Sequence, residues 1–257
     1  METLLREIAD NTKPKTGFDI RLSGRGSNFR TSISPSIKGQ FKVALSSFTT
    51  YNSIPNVTDS NNILEYAIGK PSDHAKQAQP WHRLTIKKGS YEIEQLNDEI
   101  FRLMKNNGHY DEANNSAYIK IEPNYSRLTS IVLLAPNYIL NVGTLGPLLG
   151  FEKNMSLTAE YNESPKVVDI ASVDNIIINC DLCDTSYHNG ERGNEIYTVP
   201  IESDPGYSII TKPSTLQFHT VNRRTLSDIH IWLTDQDQNP IDLRNERVNL
   251  TLRLEEC

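Results

Sequence analysis

Two segments near the C-terminus, Asp228 to Thr234 and Arg247 to Leu254, alternate apolar and polar residues with a period of two. Ile229, Ile231 and Leu233 in the first, and Val248, Leu250, Leu252 and Leu254 in the second, share one side of an extended chain. That pattern belongs to strands with one face on a core and the other toward solvent. The preceding stretch is extended too, over Asn175 to Cys180, Glu195 to Val199 and Tyr207 to Thr211. Asp235 to Asn239, followed by Pro240, reads as a polar hairpin turn, with Ile241 to Leu243 an edge piece or an arm of that hairpin.

The first half carries the same signals more weakly. Phe18 to Leu22, Phe41 to Phe48, Ile63 to Ile68, His82 to Ile86, Ala117 to Ile121 and Leu128 to Leu134 read as strands, the last two parted by a break at Pro123 and Asn124. One helix interrupts them over residues 91–107. Its Ile93, Leu96, Ile100, Leu103 and Met104 recur on one stripe, with Ser90 as the expected cap and Asn107-Gly108 as the stop. Leu145, Leu148 and Leu149, set among Gly143, Gly146 and Gly150, suggest a short helical turn ended by a glycine.

About ten strands and one helix, with no strand-helix alternation, predict a mainly β chain: an antiparallel two-sheet sandwich of single jelly-roll type. Residues 16–257 are expected to form one domain with long surface loops at Thr49 to Asn62, Lys70 to Pro80 and Thr185 to Asn194. Met1 to Lys15 are expected to form a flexible arm.

The formal net charge of -6 gives no electrostatic reason to bind nucleic acid, whose affinity comes largely from Lys and Arg contacts to phosphate. The longest apolar run, Ile131 to Pro136, is far short of a bilayer span. No basic flank precedes an apolar stretch at Met1, so no signal peptide and a cytosolic site of synthesis are expected. Three cysteines, the last of them Cys257, cannot all pair within the chain, and disulfides are not expected to hold the fold.

The motifs that could carry chemistry are incomplete. Cys180 and Cys183, with His188 beyond, have a metal-like spacing but lack a second ligand pair. Asp235, Asp237 and Asn239 open like a calcium loop, yet Pro240 stands where a glycine is required and no bidentate Glu follows. Ser23 to Ser27 lacks the lysine of a phosphate loop. The six histidines, at 74, 82, 109, 188, 219 and 230, form no His-x-His or His-Glu-x-x-His pattern. No catalytic residue, cofactor-binding residue or metal ligand is assigned, and the chain is read as a non-enzyme.

Four phrases are more specific: Phe41 to Asn56 (FKVALSSFTTYNSIPN), Gly89 to Asn97 (GSYEIEQLN), Leu148 to Phe151 (LLGF) and Ile229 to Leu254. In this order they resemble the penton, or minor capsid, proteins of Polinton/Maverick elements and adintoviruses. The resemblance implies a jelly-roll structural protein of the virion, a homopentamer at icosahedral five-fold vertices among double jelly-roll major capsid proteins, with a host receptor as a further partner through its loops. It brings no active-site residues. Two other readings stand beside it. One is a β-sandwich that binds carbohydrate or a receptor, drawing on Trp81, Trp232 and eleven tyrosines, with core packing the expected duty of Trp232. The other is a metal-dependent cupin-like enzyme, disfavoured by the scattered histidines.

Overall fold

The computed structural model describes residues 17–69, 80–171 and 173–257. The expected arm Met1 to Lys15 and nearly all of the loop from Lys70 to Pro80 lie outside the described residues.

Five strands precede the helix: β1 (Gly17–Arg25), β2 (Asn28–Lys38), β3 (Phe41–Tyr51), β4 (Ile63–Ile68) and β5 (His82–Thr85). Helix α1 (Ile93–Asn106) is followed by β6 (Tyr110–Asp111), β7 (Ser116–Ala117), β8 (Ile119–Asn124), β9 (Thr129–Leu134), β10 (Tyr138–Asn141), a 3-10 turn (Gly146–Leu149), β11 (Ser156–Leu157) and β12 (Tyr161–Glu163). The remaining strands are β13 (Asn175–Cys180), β14 (Ser186–His188), β15 (Glu191–Gly193), β16 (Glu195–Pro200), β17 (Ser208–Thr211), β18 (His219–Thr220), β19 (Thr225–Thr234) and β20 (Arg247–Glu256).

Where one domain over 16–257 was expected, the chain gathers into two compact units. One comprises residues up to Ile54 together with Val173–Cys257, and the other is Pro55–Ser172. The physical reason is visible in the burial: two separate apolar clusters form, one in each unit.

The first unit is the jelly roll. Its sheets run β1-β20-β3-β17, with β18 also on β3, and β16-β13-β19-β2, every pairing antiparallel. Counting its eight principal strands along the chain, the two sheets read 1-8-3-6 and 5-4-7-2, the order of a jelly roll built from two Greek keys. Alternating residues of both sheets meet in one core, among them Val43, Leu45, Ile176, Ile178, Ile229, Ile231, Leu250 and Leu252.

Where the alternation slips, the register slips with it. The buried residues of β3 change phase between Leu45 and Phe48, and there β20 passes from pairing with Ser47 to pairing with Leu45, leaving Ser46 as a bulge. β2 bulges similarly between Ser32 and Ile37, around Pro35. A proline is tolerated at that point because β2 is an edge strand, where its missing N–H costs no ladder bond.

The second unit carries the sheets β11-β10-β4-β5 and β12-β9-β8. Ile93, Leu96, Ile100 and Met104 of α1 pack into the core that these sheets share. The helix cap is not Ser90: Glu92 is the N-cap residue and forms a reciprocal capping box with Gln95. Asn97, inside the helix, fixes the helix to β8 by bonding both the N–H and the carbonyl of Ile121. Gly150 ends the 3-10 turn with φ 81, as the glycine spacing predicted.

Two further expectations are corrected. Pro123 and Asn124 belong to β8, and the turn to β9 follows them, with Leu128 at φ 56. The connection after Tyr51 is not wholly a surface loop, because Val57 is fully buried and its backbone pairs with Gly89.

Candidate functional site

The motifs singled out in the sequence resolve into structural devices. Cys180 and Cys183 are buried free thiols. Cys183 Sγ lies 3.6 Å from the carbonyl oxygens of Cys180 and Asn194, as a weak donor to either. Burial pushes the Cys183 thiol up to about 12 and the Cys180 thiol higher still. A thiol held protonated in an apolar setting is poorly suited to redox exchange, which needs the thiolate.

Asp235 spends its carboxylate on its own loop. Oδ1 accepts from the N–H groups of Asp237 and Asn239 at 2.9 and 2.8 Å, and Oδ2 accepts from Asn239 Nδ2 at 3.1 Å. The turn is a local hairpin, closed by Asp235 N–H on Asn239 O, and Ile241 is its returning arm. The chain then crosses over: β19 lies in one sheet and β20 in the other.

Trp232 is not a core residue. It lies half-buried on the outward side of β19, its ring 5.0 Å from that of His230, whose Nε2 is 2.8 Å from Asn28 Oδ1. The odd-numbered partners Ile229, Ile231 and Leu233 take the inward face. Trp81 is 44% exposed.

Two clusters of polar and aromatic side chains emerge that sequence spacing did not reveal. In the second unit, Asn107 Nδ2 donates to Tyr66 Oη at 3.1 Å, and Tyr66 Oη lies 2.8 Å from His109 Nδ1. The tyrosine oxygen thus bridges the Asn107 amide and the His109 imidazole in one hydrogen-bonded chain. His82 stands edge-on to His109 at 4.6 Å and stacks on Tyr66 at 5.1 Å. Burial, with the neighbouring His82 as a lesser cause, holds His109 below the ordinary histidine value. Tyr138, stacked between Tyr66 and Tyr118, is pushed up to about 12 by burial.

In the first unit the expected loop Thr185 to Asn194 is itself a two-stranded ribbon, β14 on β15. Beside it opens a pocket of about 280 Å³ lined by Ser186, Tyr187, Glu195, Ile196, Tyr197, Thr198, Gln217 and His219. Ser186 Oγ and His219 Nε2 are buried there with no protein hydrogen-bond partner. The other ring nitrogen of His219, Nδ1, lies 3.4 Å from Thr185 Oγ1. Glu195 Oε1 accepts from Thr198 Oγ1 at 2.5 Å.

No protein-family model matches the chain, and no curated protein sequence matches it. The fold, however, has a solved counterpart. It is similar to the penton protein of mavirus. The crystal structure of that protein superposes with a TM-score of 0.52 at 11% sequence identity, covering 95% of this chain and 100% of the mavirus penton chain. At that identity the likeness establishes shared architecture. Its extent is notable, since 95% coverage requires both compact units and not the jelly roll alone.

Among the described residues no three His, Cys, Asp or Glu side chains are grouped to hold a metal ion, and no helix is long and apolar enough to cross a membrane. Histidines far apart in the chain do converge, His82 with His109, but onto tyrosines and not onto a carboxylate.

Proposed function

We propose that this protein is a structural subunit of a virion, a minor capsid or penton protein that forms a homopentamer at the five-fold vertices of an icosahedral shell. The observation that carries the reading is the near-complete correspondence with the mavirus penton protein across both units, joined to the jelly-roll strand order of the first. The four sequence phrases support a narrower placement, among the Polinton/Maverick elements and adintovirus-like viruses. Its partners in this reading are four further copies of itself and the double jelly-roll major capsid protein around the vertex, with a host receptor reached through surface loops. Its location is the capsid vertex after synthesis in the host cytosol.

The chemistry agrees with a structural duty. The buried cysteines are held as thiols, the Asp235 carboxylate is consumed by its own turn, and the polar side chains of the outward sheet face bond to one another. A five-fold ring needs a head-to-tail contact in which one patch meets a different patch on the neighbour. β2 and β16 are the edges of one sheet and β1 and β17 those of the other, so the jelly roll has unlike edges to offer.

The test is mass in solution. Five chains of 29.1 kDa give a particle of about 145 kDa by sedimentation or light scattering. A monomer at high concentration that also fails to enter shells formed by the major capsid protein contradicts the proposal.

A further inference from the structure

A groove of about 190 Å³ lies in the second unit between the start of α1 and the β8–β9 turn, and its wall is mainly apolar. Ile93, Pro123, Leu128, Val168 and Ile170 line it, together with Tyr125 and the carboxylates of Glu92 and Glu94. Tyr125, Leu128 and Val167 are 76%, 59% and 58% exposed, and the Val168 N–H donates to Leu128 O at 2.9 Å, so three large apolar side chains gather on this surface. Contiguous apolar surface in water marks an interaction site more often than scattered exposed residues do. The backbone gives a second, independent sign. Leu128 adopts φ 56, a left-handed conformation that Gly or Asn takes readily and a bulky residue takes only at a cost. Glu163 enforces it by accepting from Asn124 Nδ2 at 3.2 Å, Arg127 at 3.0 Å and Thr129 Oγ1 at 2.8 Å, which pins the turn on both sides of Leu128. Folding of the unit does not account for a strained leucine held out toward water.

The charges around the patch restrict what can cover it. Tyr125 Oη donates to Glu94 Oε1 at 2.8 Å, which holds the Glu94 carboxyl below its ordinary value. Arg127 and Lys166, the cations of the two flanking segments, are committed to Glu163 at 3.0 Å and Glu152 at 2.6 Å. The rim is left acidic. We infer that this groove docks a segment of a second protein that inserts an aliphatic side chain beside Leu128 and sets an adjacent lysine or arginine against Glu94. The groove is smaller than most small-molecule sites and suits a single inserted side chain better than a free ligand. Its carboxylates oppose nucleic acid and anionic lipid, whose attraction is to lysine and arginine. All of its lining residues belong to the second unit, and the inference does not depend on the vertex assignment.

The test is methyl NMR titration of the full chain with three capped hexapeptides: Gly-Lys-Leu-Ile-Arg-Gly, the same peptide with glutamate for both cations, and the same peptide with serine for both aliphatic residues. The first is expected to bind with a Kd on the order of a millimolar or tighter, with shifts centred on Leu128, Val168 and Ile170, and the other two at least about tenfold more weakly. Leu128→Asn is expected to weaken the first peptide at least about tenfold while its urea midpoint stays level or rises, since Asn accepts the left-handed backbone. Glu94→Gln, an exposed change that keeps an acceptor for Tyr125, is expected to weaken it several-fold and to flatten its salt dependence. Failure of the first peptide to bind, equal binding of all three, or binding unchanged in both variants would overturn the inference. So would a lower urea midpoint in Leu128→Asn, which would make the leucine a packing element of the fold.

Discussion

The state of the cysteines separates a structural protein from the metal-site alternative by a quantity that can be worked out in advance. Cys183 is fully buried, and burial pushes its thiol up to about 12 from an ordinary value of 9.0. A thiol raised that far holds far less thiolate at pH 8 than an unperturbed one, and only the thiolate reacts with an electrophile. Cys180 lies deeper and its thiol is raised further. Cys257 is exposed at the chain end. Treatment of the native protein with iodoacetamide at pH 8, followed by intact-mass analysis, should add a single label at Cys257 while Cys180 and Cys183 remain unmodified. In denaturant all three should label. Rapid labelling of three thiols in the native state would show that the burial is wrong. Protection that disappears on adding a chelator, with release of stoichiometric zinc, would refute the argument in the other direction by revealing a thiolate site.

Two further outcomes follow from the packing and the protonation states. Leu252 sits with no exposure between the sheets on β20, so Leu252→Ala should cost about 2–5 kcal/mol by urea unfolding; a change under about 1 kcal/mol would mean that the two sheets do not share a core there. His109 is depressed below its ordinary value, so the unfolded chain binds its proton first. The stability it contributes is complete above the unfolded value of 6.5 and is lost as pH falls through the lower folded value. The urea midpoint should fall between pH 7.5 and pH 5 more steeply in the native protein than in His109→Gln, which keeps an acceptor for Tyr66 but does not titrate. Equal slopes would remove His109 from the account.

The strands legible in the sequence are those that carry either an apolar run or several turns of two-residue alternation. Asn175–Cys180 is observed with the bounds that were read, and the C-terminal strand Arg247–Glu256 runs only two residues further. β2 is hidden in the sequence because one of its half-buried positions, Thr31 between Phe29 and Ile33, is polar, and a proline-centred bulge then separates Ile33 from Ile37. Division into two units was invisible for a different reason. Strand signals are read within residues 55–172 as they are on either side, and only the pairing of strands across that insertion, β3 with β20 and β17, shows that the jelly roll closes without them.

The same limit applies to the sites. Period-two reasoning put Trp232 in the core, yet it lies opposite the inward Ile231 and Leu233, and that face was readable from the very alternation that defined the strand. Ser186 with His219, and His82 with His109, are brought together by pairings between distant segments, for which no local spacing exists. Composition carried one useful signal, the abundance of tyrosine, which reappears in the Tyr66–Tyr138–Tyr118 stack and at the mouth of the pocket.

The most direct test of the vertex assignment is electron cryomicroscopy of particles assembled from this protein and its double jelly-roll major capsid protein. The account predicts five copies around each five-fold axis, each filled by a jelly roll with strand order 1-8-3-6 over 5-4-7-2 and a second unit inserted after β3. Closed shells whose vertices are occupied by another protein, with this chain left in solution or bound elsewhere on the particle, would contradict it.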